Sequence, residues 1–202
     1  MARIRRKIGQ GALGLLFAAL VAGCATTNRK VTVLYEPVVH NGTGAGELYL
    51  AGAPGTTGHT GVEWVIGTVK NSDGEQLGDI VSPIAPTDLA MDAFKQELTS
   101  AGYTVSTAGS LPPQVEKGIA ITGVDIHVEE VSSLVKVEGT SRVKITVELW
   151  KDGAIFRKLS YESSFSDFAV KDRDLLDQAI LQKALQNAME RAIPEIVAAF
   201  AH

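Results

Sequence analysis

From Val135 to Leu149 the chain alternates with a period of two. Val135, Val137, Val143, Ile145, Val147 and Leu149 fall at odd positions, and Lys136, Glu138, Arg142, Lys144 and Glu148 at even ones. Successive strand side chains point to opposite faces, so the pattern predicts a long strand with one buried face and one wet face. A sheet solvated on one side is characteristically antiparallel. The flanks extend the reading. Asp152-Gly153 is a two-residue hairpin signal. It leads into a return strand expected to bury Ile155, Leu159, Tyr161 and Phe165. Upstream, Ile119 and Ile121 share one phase, while Val124, Ile126 and Val128 share the other. That flip predicts a β-bulge at Gly123, with a turn near Ser132-Ser133 before the long strand.

The remaining elements are read around this core. Val31 to Val39 is rich in β-branched residues and predicts a first strand. His40 to Gly61 is dense in glycine and threonine and reads as a long loop or irregular hairpin. Val62, Trp64 and Ile66 alternate ahead of a turn at Ser72-Asp73-Gly74. Pro86 to Gly102 predicts a helix, with Thr87 or Asp88 as its N-cap and Gly102 as its left-handed stop. A last helix is expected from Asp172 or Asp174, kinked or broken by Pro194. The expected fold is α+β: an antiparallel meander sheet with two helices packed on one face, forming a single domain over residues 31–202.

The N-terminus addresses location. Arg3, Arg5, Arg6 and Lys7 precede an uncharged apolar run from Ile8 to Gly23, the layout of a secretory signal. The run is shorter than the roughly 20 residues of a permanent membrane span. It ends in Val21-Ala22-Gly23-Cys24, which resembles a bacterial lipobox and holds the chain's one cysteine. Cleavage between Gly23 and Cys24 would free an amine beside a thiol that accepts a diacylglyceryl group. Each buried CH₂ of such a chain contributes about 0.8 kcal/mol, and stable anchoring takes more than one chain. Residues 24–30 then form a short tether. Ala25, rather than aspartate, after the lipid site favours the outer membrane, facing the periplasm, by resemblance to Gram-negative lipoproteins. Loss of residues 1–23, which carry four basic and no acidic side chains, takes the formal net charge from −4 to −8. A chain so acidic, with dispersed Lys and Arg, is not expected to bind nucleic acid.

Catalytic signatures do not emerge. His40, His59, His127 and His202 show no metal-ligand spacing, and neither a metal nor a cofactor is expected. The glycines between Gly42 and Gly55 lack the Lys-Ser or Lys-Thr pair and following helix of a phosphate loop. Glu129 and Glu130 are adjacent, so on a strand their carboxylates point to opposite faces. Tyr49 and Trp64, with His59 in the loop between them, form a candidate partner surface, against the alternative that Trp64 packs in the core.

"DLAMDAFKQELTSAGYTV" (Asp88 to Val105), "GIAITGVDIHVEEV", the alternating strand, the hairpin and the final helix resemble the YajG family of bacterial lipoproteins. The helix ending in Ala-Gly-Tyr before a strand also resembles auxiliary lipoproteins of ABC-type transporters. The resemblance implies an envelope lipoprotein without known enzymatic activity, with Cys24 as its lipidated residue. The leading expectation is a non-enzymatic binding or adaptor domain, held at the membrane by acyl chains on Cys24 and meeting an envelope protein partner. The alternatives are an accessory to lipid or ABC-type transport, with an apolar groove between helix and sheet, and an envelope hydrolase around His59 or His127.

Overall fold

The structure, a computed structural model, describes residues 28–39, 43–52, 63–171 and 175–201. In chain order its elements are β1 (Arg29–Lys30), β2 (Glu47–Ala51), β3 (Trp64–Asn71), β4 (Gln76–Ser82), α1 (Pro86–Ser100), β5 (Thr104–Ala108), β6 (Lys117–Ser132), β7 (Val137–Lys151), β8 (Ala154–Ala169) and α2 (Leu176–Phe200). β6 organises the sheet. One of its edges pairs with β7 from Lys117–Lys151 to Ser132–Val137, and β7 pairs with β8, both antiparallel. Its other edge is divided. Gly118–Ala120 pairs in parallel with β2, which carries β5, while Val128–Ser132 pairs in parallel with β3, which carries β4 and then β1.

The expected antiparallel meander is thereby overturned. The eight-stranded sheet is mixed and curls into a half-barrel, with parallel pairings β1–β4, β2–β5, β2–β6 and β3–β6. Alternation reports which face a side chain takes, not the direction of the neighbouring strand. Parallel neighbours need a crossover, and the one from β2 to β5 runs through β3, β4 and α1. β2 lies inside the stretch read as loop, yet Leu48 and Leu50 are fully buried.

Where the alternation is longest, the details hold. Val137, Val143, Ile145, Val147 and Leu149 are buried, and the β6–β7 register shifts between Ile121 and Gly123, the expected bulge. Asp152 and Gly153 both adopt positive φ, as a type I′ hairpin requires. Val135 is not buried; it lies in the turn before β7. Ile155 is also partly exposed, because a second shift between Leu149 and Trp150 changes the phase of β8.

Both helices cover the apolar face and touch each other. α1 begins at Pro86 after Ala85, without the side-chain cap expected from Thr87 or Asp88. It ends at Gly102, whose φ of 106° is open to glycine and costly for other residues. α2 runs through Pro194 to Phe200, with its broad stripe from Ile180 to Ile196 on the sheet. The starts expected at Asp172 or Asp174 lie outside the described residues. No described helix is long and apolar enough to cross a membrane.

Val31 to Val39 is extended but makes no ladder beyond β1. Val31, Val33 and Tyr35 are buried while Leu34 is exposed, so the period-two pattern was real although the strand was not. The divided edge of β6 rests on one close approach. A Cβ on Gly67 would lie 1.9 Å from the Val128 carbonyl oxygen. Gly67→Ala should therefore cost about 3 kcal/mol, whereas Gly109→Ala, at a position with nothing within 4 Å, should leave the thermal midpoint almost unmoved. Paired thermal melts check both.

Candidate functional site

Charged residues almost never become fully buried unless paired, so buried carboxylates mark where this chain commits its polar chemistry. Among the described residues, three are fully buried: Glu97, Glu130 and Asp177. All three hold the N-terminal segment between residues 29 and 39.

Glu97 lies on the face of α1 that buries Ala90, Ala93, Phe94 and Leu98. Its Oε1 accepts the Tyr35 hydroxyl at 2.5 Å and the Val38 amide at 2.7 Å, and its Oε2 accepts the Val39 amide at 2.9 Å. Burial, followed by the bond to Glu97, pushes the Tyr35 hydroxyl well above the usual phenol range, so it remains a donor. These bonds explain why residues 36–39 are not a strand: two of their amides are directed to a side chain. Gln186 of α2 adds a bond from its amide to the Glu36 carbonyl at 3.0 Å.

The second centre joins β1, β6 and α2. Arg29 Nη1 lies 2.7 Å from Glu130 Oε2, and its Nε lies 3.9 Å from Asp177 Oδ2. Asp177 stands in the first turn of α2, where the helix dipole favours an acid. Burial nevertheless raises its pKa, opposed by the Arg29 charge and by a hydrogen bond with Glu130.

A cleft of about 380 Å³, lined by Pro37, Gln96, Thr99 and Ser100, flanks the Glu97 centre. Two further clefts lie elsewhere. One of about 410 Å³ runs between α1 and the end of β5, lined by Asp88, Met91, Asp92 and Lys95. Another of about 460 Å³ lies between the end of α2 and the β7–β8 hairpin, lined by Phe156, Arg157 and Glu195. Between α2 and the sheet, Ile180, Leu181, Leu185, Met189 and Ile193 are buried against Val143, Ile145, Val147 and Leu149. The interface under α2 is thus packed, and the cleft that lies between a helix and the sheet is the one beside α1. Among the described residues, no three His, Cys, Asp or Glu side chains converge as metal ligands.

Gly23, Cys24 and His59 lie outside the described residues. Tyr49 is half-buried in β2, opposite Gly118 of β6, and Trp64 is half-buried at the start of β3, packed on the core. The two aromatics stand on different arms of the divided edge, since β3 meets β6 only from Val128 onward. His127 is exposed on β6, paired with Arg142. Sequence reasoning did not single out Arg29, Glu97 or Asp177, and it took Glu130 only as the neighbour of Glu129.

No family model matches the chain, and no curated protein matches it. Solved structures do. A Xanthomonas campestris protein of the DUF330 family covers 85% of this chain and 95% of its own at 13% identity, with a TM-score of 0.48. A Helicobacter pylori protein described as a neuraminyllactose-binding hemagglutinin homologue covers 85% and 94% at 12% identity, with a TM-score of 0.46. Rare lipoprotein B from Shewanella oneidensis covers 67% and 96% at 10% identity, with a TM-score of 0.36. At such identities and scores the functional reading rests on the chain's own residues.

Two outcomes are expected. Glu97→Ala should orphan three donors and cost roughly 3 kcal/mol, with faster hydrogen exchange at the Val38 and Val39 amides, while Glu97→Gln should cost less. Asp177→Asn tests the cost of burying the Asp177 charge. The folded pKa of Asp177 lies above its unfolded value, so its stabilising contribution is complete below the unfolded pKa and is lost as pH rises through the raised one. Melting temperatures taken from about pH 4 to pH 7 should shift progressively in favour of Asp177→Asn.

Proposed function

We propose that this protein is a lipid-anchored envelope lipoprotein whose folded domain binds a protein partner rather than catalysing a reaction. The observation that carries the reading is the position of the lipobox relative to the buried charge. Val21-Ala22-Gly23-Cys24 ends five residues before Arg29, and Arg29 is seated against Glu130 of the sheet and Asp177 of α2. Glu97 then fastens Tyr35, Val38 and Val39 to α1.

A tether held this way ties the membrane to every layer of the fold. The carboxylates fully buried among the described residues are engaged by the chain's own N-terminal segment. Ala25 supports placement in the outer membrane, facing the periplasm. The YajG resemblance supports the same class of protein, and an envelope protein is the partner the reading implies.

Expression of the full chain and of Cys24→Ser in a Gram-negative host tests the proposal. The parent should fractionate with membranes, and its N-terminal peptide should begin at Cys24 and carry acyl mass. Cys24→Ser should keep its signal segment and lose that mass. A Cys24→Ser protein processed and fractionated like the parent would remove the anchor and the reading with it.

A further inference from the structure

The register of the strands fixes which end of the domain faces the tether. β6 runs towards its turn with β7, and β3 is parallel to it. β4 is antiparallel to β3 and β1 is parallel to β4, so β1 runs away from that turn. The chain therefore arrives at Arg29 from the side of the β6–β7 turn. Arg29 stands level with Ile80, Gly67 and Val128. From Val128 to the end of β6 at Ser132 is about 13 Å. The five residues from Cys24 to Arg29 can span about 17 Å at full extension. A lipid on Cys24 can thus lie level with the β6–β7 turn.

That end exposes large apolar side chains among charged ones. Leu134 is fully exposed in the turn, and Val135 beside it is 73% exposed. Phe168 and Val170, at the end of β8, flank the same turn, since Phe168 is opposite Glu138 and Ala169 opposite Val137. Leu175 caps α2 at this end, one residue before Leu176, which packs over Gly139. All three are more than half exposed. Among the described residues, five of the ten exposed large apolar ones are gathered here, a concentration that marks a contact surface rather than scattered exposure. Lys171 adjoins Val170, while Lys136, beside Val135, is ion-paired with Glu138 opposite Phe168. The neighbouring β3–β4 turn, Ser72-Asp73-Gly74-Glu75, is polar, which confines the contact to the β6–β8 side.

We infer that Leu134, Val135, Phe168, Val170 and Leu175 form a membrane-seated tip that enters the lipid interface beside the acylated Cys24 and sets the tilt of the domain. The inference rests on the lipid-anchored reading, because the tip's nearness to the bilayer follows from the tether's length. Interfacial segments bury their apolar face about 5–10 Å into the boundary of headgroups and acyl chains, a depth these side chains can reach without unfolding any ladder.

The test uses the full chain, acylated in cells, extracted in detergent and reconstituted into vesicles of phosphatidylethanolamine and phosphatidylglycerol brominated near the top of the acyl chains. Leu134→Trp reports on the tip and Leu34→Trp, exposed beyond β1 away from the turn, on a remote site; emission of the parent's own Trp64 and Trp150 is subtracted. The expected result is a blue shift and loss of the added Leu134→Trp emission, with the Leu34→Trp emission retained. Vesicle-bound protein whose Leu134→Trp emission is unquenched overturns the tip and leaves the anchor standing. A blue-shifted but unquenched signal means that protein, including a second copy, covers the tip, and also overturns it. Equal quenching at both sites means that no particular end is seated. Protein that fails to associate with vesicles at all overturns the anchor and the tip together.

Discussion

A strand has two edges, and each point on an edge can serve one neighbour. β6 serves three strands because it is long enough to divide one edge between two of them. β7 takes the whole of one side; β2 takes Gly118 to Ala120 and β3 takes Val128 to Ser132 on the other. The bulge between Ile121 and Gly123 falls between those two pairings and adds local twist where the arms part. The rest of the topology follows. β5 adds to the first arm, β4 and β1 to the second, and the crossover that returns the chain from one arm to the other contains α1.

The same division explains why acids are buried. The N-terminal segment after β1 has no free sheet edge to join along its length, so its polar groups need other partners. Unpaired buried amides each cost about 1–3 kcal/mol, and Glu97 removes that cost for Val38 and Val39 while also satisfying Tyr35. Arg29 is held at the other end of the segment by Glu130 and Asp177. Neither arrangement is a surface ion pair of the kind worth little. Both draw on the low interior dielectric, where removing one partner is far costlier than the pair is worth.

Legibility in the sequence followed the length of each pattern. β7, the Gly123 bulge, the Asp152-Gly153 hairpin and the Gly102 stop were all readable, because each depends on local geometry that the residue types impose. The parallel pairings were not. β2 offers five residues, Glu47 to Ala51, of which only Leu48 and Leu50 carry the period, too short a run to stand out from its glycine-rich flanks. The buried acids left a signal that was passed over. Glu130 continues the phase of Ile126 and Val128, Glu97 falls within the stripe of Phe94 and Leu98, and Asp177 shares the face of Ile180 and Ala184. A charge at an apolar phase is either a surface interruption or a paired interior group, and the partners here lie between 47 and 148 positions away in the chain for Glu130–Asp177 and Arg29–Asp177 respectively. Periodicity says nothing about contacts at that distance.

The direction of β1 gives the domain a polarity that composition could not. Arg29 enters from the side of the β6–β7 turn, so the buried charge and the apolar tip share one end. Two of the clefts lie away from that end: one beside the last residues of β5, on the arm paired to the start of β6, and one where α2 finishes against the β7–β8 hairpin. On the proposed lipid-anchored reading, the first end is the one near lipid and the second faces outward. The half-buried aromatics of β2 and β3 lie between these ends on separate arms, so a partner contacting both must bridge the fork rather than settle on one face. On that same reading, approach from the outward end meets the fork and these clefts first, and Arg29, fastened to β6 and α2 alike, fixes the entering chain to sheet and helix together.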